Sequence, residues 1–558
     1  EKRHGVYLFR NAAIVKPIVC ARHAIRADQG FAFRLAMAMR AGMGDNDGMT
    51  DILLATLNAR YSHASLGLRC LRANLGALHG RSAIKEFVIG QKTEEIAEAI
   101  LAENPVILGL GVYIWNCEES LKLVLMLKAV NPGMIIVLGG PEVSYETGEQ
   151  AICAAADYTI TGWGDISFAQ LCAQILAGQA PEAKTIPGIQ AKLPEMASPY
   201  AEYTEEDIRQ RHLYVEASRG CPFKCEFCLS ALDKTAWPFP LEAFLADLEM
   251  LWQKGARQFK FVDRTFNLKI ETSLKIMDFF LDKIAENPDD MPFAHFELIP
   301  DHLPEKLKEA IVRFPEGTLQ FEIGIQTFNI DVQQRISRKQ KNELARENIL
   351  WLGEHSGAHL HVDLIAGLPG ETVESFAEGF NRLVALNPHE IQFGILKLLR
   401  GAPIARHTAD FQLRFNPAPP YNILSTDCIS FSEMQQLSRF SRYWDMLANS
   451  GRYALTMQLI LADTPFWNFH RLSAWLYAKT RQTHAIAHER MVHLVHEYLI
   501  EERHLDPPAV NDALIKDYRG TGGRSRLRFE DEKAPLPLPK PQKTKTHTPD
   551  RQARHLQA

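Results

Sequence analysis

The chain has 558 residues, enough for several hydrophobic cores, and 46% apolar with 23% charged residues is the composition of a globular protein, not of a disordered or fibrous one. A net charge of -5 gives no whole-chain case for a nucleic-acid partner, and no apolar run reaches the ~18 residues that span a bilayer. Nine cysteines, of which only three cluster, fit a reducing cytoplasmic setting better than a disulfide framework.

Residues 1–48 carry basic residues but no acid between Lys2 and Ala27, and they lack the apolar core of a signal peptide. They read as an extension, disordered or following a mis-called start, with translation beginning near Met43 or Met49. Over 49–190, apolar runs at 51–57, 86–89, 106–112, 134–138 and 158–161 alternate with helix-period segments such as 94–102 and 118–130. Serial βα units of this kind predict a doubly wound parallel sheet, in which ligands bind beyond the carboxyl ends of the strands. The loops there are Gly139-Gly140-Pro141 and Gly162-Trp163-Gly164, whose glycines allow a ligand to approach the backbone.

The apolar run 213–217 leads into Cys221-Pro-Phe-Lys-Cys225-Glu-Phe227-Cys228, with three cysteines in eight residues. One loop of that spacing wraps three thiolates around a single metal centre. A closed zinc site takes four ligands, so a zinc reading needs a distant fourth such as His212. Further strand-like runs at 258–262, 293–298, 319–325, 360–365 and 391–396 alternate with helices at 271–286, 303–313, 341–354 and 371–385. Together with 213–217 they make six βα units over 207–405. Reactive groups of such a unit series belong at the strands' carboxyl ends. In the fourth strand, period-two alternation puts Glu322, Gly324 and Gln326 on one face, opposite Ile323 and Ile325. A charged Glu322 facing inward needs a partner, and Arg335 and Arg338 are the nearby cations. From 425 to 525 the pattern is helical and aromatic-rich, and His484, His488, His493 and His496 read as scattered helix histidines. Residues 531–558, with Pro535, Pro537, Pro539 and Pro541, read as a disordered tail.

The C-x₃-C-x₂-C loop, with aromatic Phe227 before the third cysteine, resembles the signature of the radical S-adenosylmethionine (SAM) superfamily. The small α/β domain ahead of it resembles the cobalamin-binding domain of that superfamily's cobalamin-dependent members. The resemblance implies a three-part fold: a cobalamin-binding-like doubly wound sheet, a partial (β/α)6 barrel and a helical C-terminal domain. It implies a 4Fe-4S cluster on Cys221, Cys225 and Cys228, with SAM on the open iron. It further implies SAM contacts from Phe227, Asp263, Glu322, Gln326, Gly367 and Pro369, and cobalamin contacts from Ser62, Gly139, Gly140, Pro141, Gly162 and Gly164. His63 lacks the Asp-x-His-x-x-Gly setting of a lower cobalt ligand, since no Asp stands two before it. The implied activity is reductive cleavage of SAM to a 5′-deoxyadenosyl radical, fed by a partner such as flavodoxin or ferredoxin. With cobalamin, methyl transfer to an unactivated carbon is the leading outcome. Two rivals stand beside it: a cobalamin-independent radical SAM oxidoreductase or rearrangement enzyme, and a non-catalytic iron–sulfur protein that senses SAM or redox state. Neither charge nor motif identifies a substrate.

Overall fold

The computed structural model describes residues 50–530 and 547–556, so the reading of 1–48 lies outside the described residues. The described chain divides into two compact units, one comprising residues up to Tyr61 plus Gly67–Ala191, the other Ser62–Leu66 plus the chain from Lys192 onward.

The first unit is built on six parallel strands, β1 (Ile52–Asn58), β2 (Ser82–Val88), β3 (Ile107–Gly111), β4 (Ile135–Gly139), β5 (Tyr158–Thr161) and β6 (Thr185–Pro187), in the order 2-1-3-4-5-6. Alternate residues of β1 enter two separate cores. Leu53, Ala55 and Leu57 join one, and Ile52 and Leu54 join the other. A strand apolar on both faces must be covered on both, which is why this sheet is doubly wound. The order reverses between β1 and β3, the switch point at which such sheets open a crevice for ligands.

In the second unit, β7 (Leu213–Val215) is followed by the short hairpin β8 (Ser218–Gly220) and β9 (Ala236–Pro238), which closes the base of the cysteine loop. Then come β10 (Gln258–Phe261), β11 (Phe293–Leu298), β12 (Leu319–Gln326), β13 (His359–Ala366) and β14 (Glu390–Ile395). The parallel sheet runs 14-13-12-11-10-7, so each strand lies beside its predecessor and the six form an open partial barrel. Phe259, Phe261 and Phe296 point outward and pack with Phe280 of helix Ile270–Glu286, and Phe321 packs against Phe296. The inner face is polar, carrying Lys260, His295, Glu322 and His361 around a cavity of about 470 Å³.

Two features depart from the sequence reading. The aromatic helices from Phe431–Leu447 to Pro507–Gly520 share one continuous core with the barrel and do not enclose a core of their own. Asn449 also ties them to edge strand β14, donating to Ile391 O at 2.9 Å and accepting from Ile391 N at 3.0 Å. The expected tail is, over His547–Leu556, ordered structure with a helix at Asp550–His555. Composition reads as tail, but Arg551 pairs with buried Glu390 at 2.6 Å and Thr548 donates to Gly317 O at 2.7 Å. Long-range pairing of this kind leaves no local sequence signal.

Candidate functional site

The cysteine loop is held by backbone geometry that only particular residues permit. Gly220 sits at φ +94°, and a Cβ there would lie 2.5 Å from Thr235 O. Within the loop Cys228 N donates to Cys225 O at 3.0 Å, and Glu226 N to Ile336 O at 3.0 Å. Glu226, buried between two cysteines, accepts from Ser337 Oγ at 2.6 Å, bonds His407 Nε2 at 2.8 Å and pairs with Arg406. This staple was not foreseen, since a lone acid in a loop carries no sign of its partners.

Cys221, Cys225 and Cys228 line a cavity of about 180 Å³ together with Phe227, Glu322, Gly324, Gln326, Arg338 and Asp363. The strand alternation therefore placed Glu322, Gly324 and Gln326 correctly. Gln326 stands at φ +67°, a left-handed conformation rare outside glycine, where the register of β12 against β13 slips. A Cβ on Gly324 would come 2.4 Å from Gln326 Nε2, so the glycine makes room for the glutamine amide. Among the described residues, Gln326 Oε1 has no hydrogen-bond partner. A strained backbone and an orphaned buried acceptor at one cavity are costs that packing alone does not repay.

The charges are arranged around that cavity. Glu322 is paired with His295 Nε2 at 3.2 Å, not with Arg335 or Arg338. Burial alone would raise its pKa, but the bond from His295 and the nearby His361 and Lys260 hold it at about 2. Asp363, opposite Gly324 in the register, is pushed well up by burial and by the negative charges of Glu322 and Glu297; its Oδ1 has no hydrogen-bond partner among the described residues and stands 3.5 Å from His361 Nε2. Arg338 donates to Cys225 Sγ at 3.5 Å and to Gly324 O and Gln340. Burial pushes the Cys221 thiol up to about 11 and also raises Cys225, the latter offset in part by Arg338. A cationic iron centre reverses that penalty. Asp363 and the sulfur-bonding role of Arg338 were both missed; the shared inward face of His361 and Asp363 was the available signal.

Three SAM assignments do not reach this cavity. Asp263 is buried with both oxygens engaged, Oδ2 accepting from Ala217 N at 2.9 Å and Oδ1 from Ser218 Oγ at 2.7 Å. It pins the strand entering the cysteine loop, and Arg264 and Thr265 line the cavity beside it. Gly367, at φ +89°, packs where a Cβ would strike Ile423 Cγ2 at 2.6 Å, and the Pro369 carbonyl accepts from Arg335 Nη1 at 2.6 Å. Both belong to a turn that braces the barrel against the helices.

In the first unit, the loops after β3, β4 and β5 meet at the carboxyl edge of the sheet. Gly140 is at φ +109°, where a Cβ would sit 2.4 Å from Val112 O. A Cβ on Gly139 or Gly162 would meet nothing within 4 Å, so the space beside both is open. Pro141 opens a short 3₁₀ turn, and Gly164 precedes helix Asp165–Leu176. Ser144 joins the two glycine loops, donating to Gly140 O at 2.8 Å and accepting from Gly162 N at 3.0 Å. Beside the switch point, Trp115 is 44% exposed and stacks on Tyr113 with centroids 4.5 Å apart. Ser144 and Trp115 were not foreseen. Ser62 groups with the second unit, where its carbonyl accepts from His212 N at 2.7 Å, and His63 Nδ1 meets Tyr214 OH at 2.5 Å.

Residues 52–172 match the B12 binding domain, 215–383 the Radical SAM superfamily and 409–530 a family described as a protein of unknown function, DUF4080. A 2-(S-pantetheinyl)-carbapenam-3-carboxylate methyltransferase of Streptantibioticus cattleyicolor is 25% identical over 465 residues, 73% of this chain and 66% of that protein. The cobalamin-dependent radical SAM methyltransferase TokK of Streptomyces tokunonensis is 25% identical over 356 residues, 56% of this chain and 49% of that one. The chain thus spans about half to two thirds of the length of these curated relatives. Among solved structures, cobalamin-dependent OxsB with aqua-cobalamin bound shares the fold at TM-score 0.59 and 12% identity, over 85% of this chain and 81% of that chain. TsrM from Kitasatospora setae, with cobalamin and a 4Fe-4S cluster bound, does so at 0.54 and 16%, over 67% and 82%. No helix among the described residues is long and apolar enough to cross a membrane. Residues 215–383 are thus a radical SAM domain, preceded in the chain by a B12-binding domain over 52–172.

Proposed function

We propose that the chain is a cobalamin-dependent radical SAM methyltransferase acting on an unactivated carbon. The observation that carries the reading is the convergence of the three loop cysteines with strained, unsatisfied Gln326 on one cavity, in a chain that also bears a B12-binding domain. When bound, a 4Fe-4S cluster supplies an electron for reductive cleavage of SAM to a 5′-deoxyadenosyl radical, and cobalamin supplies a methyl carrier.

The chain's own residues orient and shield. Cys221, Cys225 and Cys228 present three thiolates, and Arg338 bonds one of them, which tunes the potential of a cluster held there. Gln326 Oε1 accepts from the SAM amino group, the role earlier implied for Asp263. Glu322 supplies negative charge beside it, and the Asp363 carboxyl faces the ligand from the neighbouring strand. Phe227 covers one wall and excludes water. Backbone at Gly139 and Gly162, braced by Ser144, takes the corrin side chains, and Trp115 offers a flat apolar face to the ring. A reducing partner such as flavodoxin or ferredoxin would supply the electron that reductive cleavage of SAM consumes.

Anaerobic reconstitution with iron, sulfide and hydroxocobalamin tests this. The expected result is a corrinoid absorption spectrum that persists through gel filtration, together with 5′-deoxyadenosine formation on reduction with SAM. Cleavage without bound corrinoid would leave a cobalamin-independent enzyme, and no cleavage would remove the enzyme reading.

A further inference from the structure

The barrel floor, at the amino ends of its strands, holds a second cluster of ligating side chains that the proposed reaction does not use. His359 begins β13 and Glu390 begins β14; both are almost fully buried, at 1% and 2% exposure. His555 enters from the C-terminal helix Asp550–His555. One ligand atom from each lies within 4.8 Å of the others, a grouping found nowhere else among the described residues. His555 Nε2, which also lies 3.1 Å from Asn449 O in a contact that a metal would displace, is 4.0 Å and His359 Nε2 3.6 Å from the same oxygen, Glu390 Oε1. The two separations from Glu390 are too long for hydrogen bonds. They are close to the ~3.4 Å between donors that share a zinc ion through bonds of about 2.0–2.1 Å at a tetrahedral angle.

A second observation is independent of that spacing. Among the described residues, neither ring nitrogen of His359 has a hydrogen-bond partner, and neither has Glu390 Oε1. A histidine buried with both nitrogens unpaired forfeits its hydration and recovers nothing, which folded proteins seldom tolerate. The other oxygen of Glu390 is engaged by Arg551 at 2.6 Å, and Arg551 is shared with Asp445 at 2.7 Å. That arrangement balances the arginine and leaves Oε1 free.

We propose that His359, Glu390 and His555 bind a divalent transition-metal ion of the zinc class, which fastens the C-terminal helix to the barrel floor. Two imidazoles and a carboxylate suit zinc, with a water completing four-coordination. The ion would lie at the opposite ends of the strands from the cysteine loop. It would join three segments distant in sequence, so its loss would free the last residues of the chain.

The test uses anaerobically reconstituted full-length protein with its iron–sulfur cluster in place, so that the loop cysteines are not available to zinc. Protein is incubated with one equivalent of zinc chloride, desalted, and its zinc measured by mass spectrometry. About one zinc per chain is expected, falling at least tenfold in His359→Gln and in His555→Gln, while His484→Gln retains it. Zinc removal by a chelator is expected to expose 547–556 to limited proteolysis in wild-type protein. If His359→Gln fails to fold, as read from loss of the cluster absorbance, His555→Gln on the less buried side decides. Wild-type protein that retains no zinc, or equal zinc in wild type and His555→Gln, overturns the proposal.

Discussion

Gln326 concentrates three properties that ordinary strand residues lack: left-handed backbone, a buried acceptor with no partner among the described residues, and a glycine two residues earlier that clears its amide. Replacing it with alanine is expected to weaken SAM binding about tenfold, the worth of one well-made hydrogen bond, while iron content stays unchanged. Equilibrium binding of SAM to the reconstituted protein checks this. Glu371 makes a second residue-scale case. Burial pushes it up to about 8, against a partial offset from Thr327, whose hydroxyl donates to Oε1 at 2.5 Å. A carboxyl raised above its unfolded value favours the folded state when protonated. The stability it provides is therefore present below about pH 4.5 and lost as pH rises to about 8. Wild-type stability is expected to fall by about 1.4 kcal/mol per pH unit across that window from this group, and Glu371→Gln to remove that share of the slope, as read by denaturant titration at several pH values. Sequence alone could not separate such carboxylates. Asp263, Glu371 and Asp363 all stand at or near strand ends, and only cross-strand packing reveals that one anchors backbone, one is sealed in and one faces the cavity.

At the scale of elements, the cysteine loop is a closed device. The β8–β9 hairpin draws its two ends together, and Glu226 fastens its middle to Ser337, Arg406 and His407. Glu226→Ala leaves the buried His407 and the half-buried Ser337 without their acceptor and is expected to cost about 1–3 kcal/mol locally. Iron and sulfide retained after gel filtration should fall by more than half, while the far-ultraviolet dichroism of the barrel is kept. The strands themselves were legible because period-two alternation and helix periodicity survive in a parallel βα series. Expected strands at 293–298 and 319–325 became Phe293–Leu298 and Leu319–Gln326. The hairpin was not legible, because three-residue strands flanking a cysteine loop carry no periodicity to detect.

Across the whole molecule, the last described residues matter more than their composition implies. Arg551 reaches both Glu390 and Asp445, His547 meets Asp290 at 2.7 Å, and Arg554 donates to Ser450 O at 2.8 Å. Deleting 547–558 uncovers buried Glu390 and is expected to lower the thermal midpoint by about 5 °C, from a loss of roughly 2–3 kcal/mol, measurable by scanning calorimetry.

The bonds from Asn449 to both backbone groups of Ile391 have a consequence for how copies of this chain coexist. An open barrel has a free rim, and β14 is the rim strand whose amides and carbonyls would otherwise invite a strand from a neighbouring molecule. One asparagine amide stands where a seventh strand's peptide would be, so it acts as a guard against fibre-like growth as well as a tie to the helices.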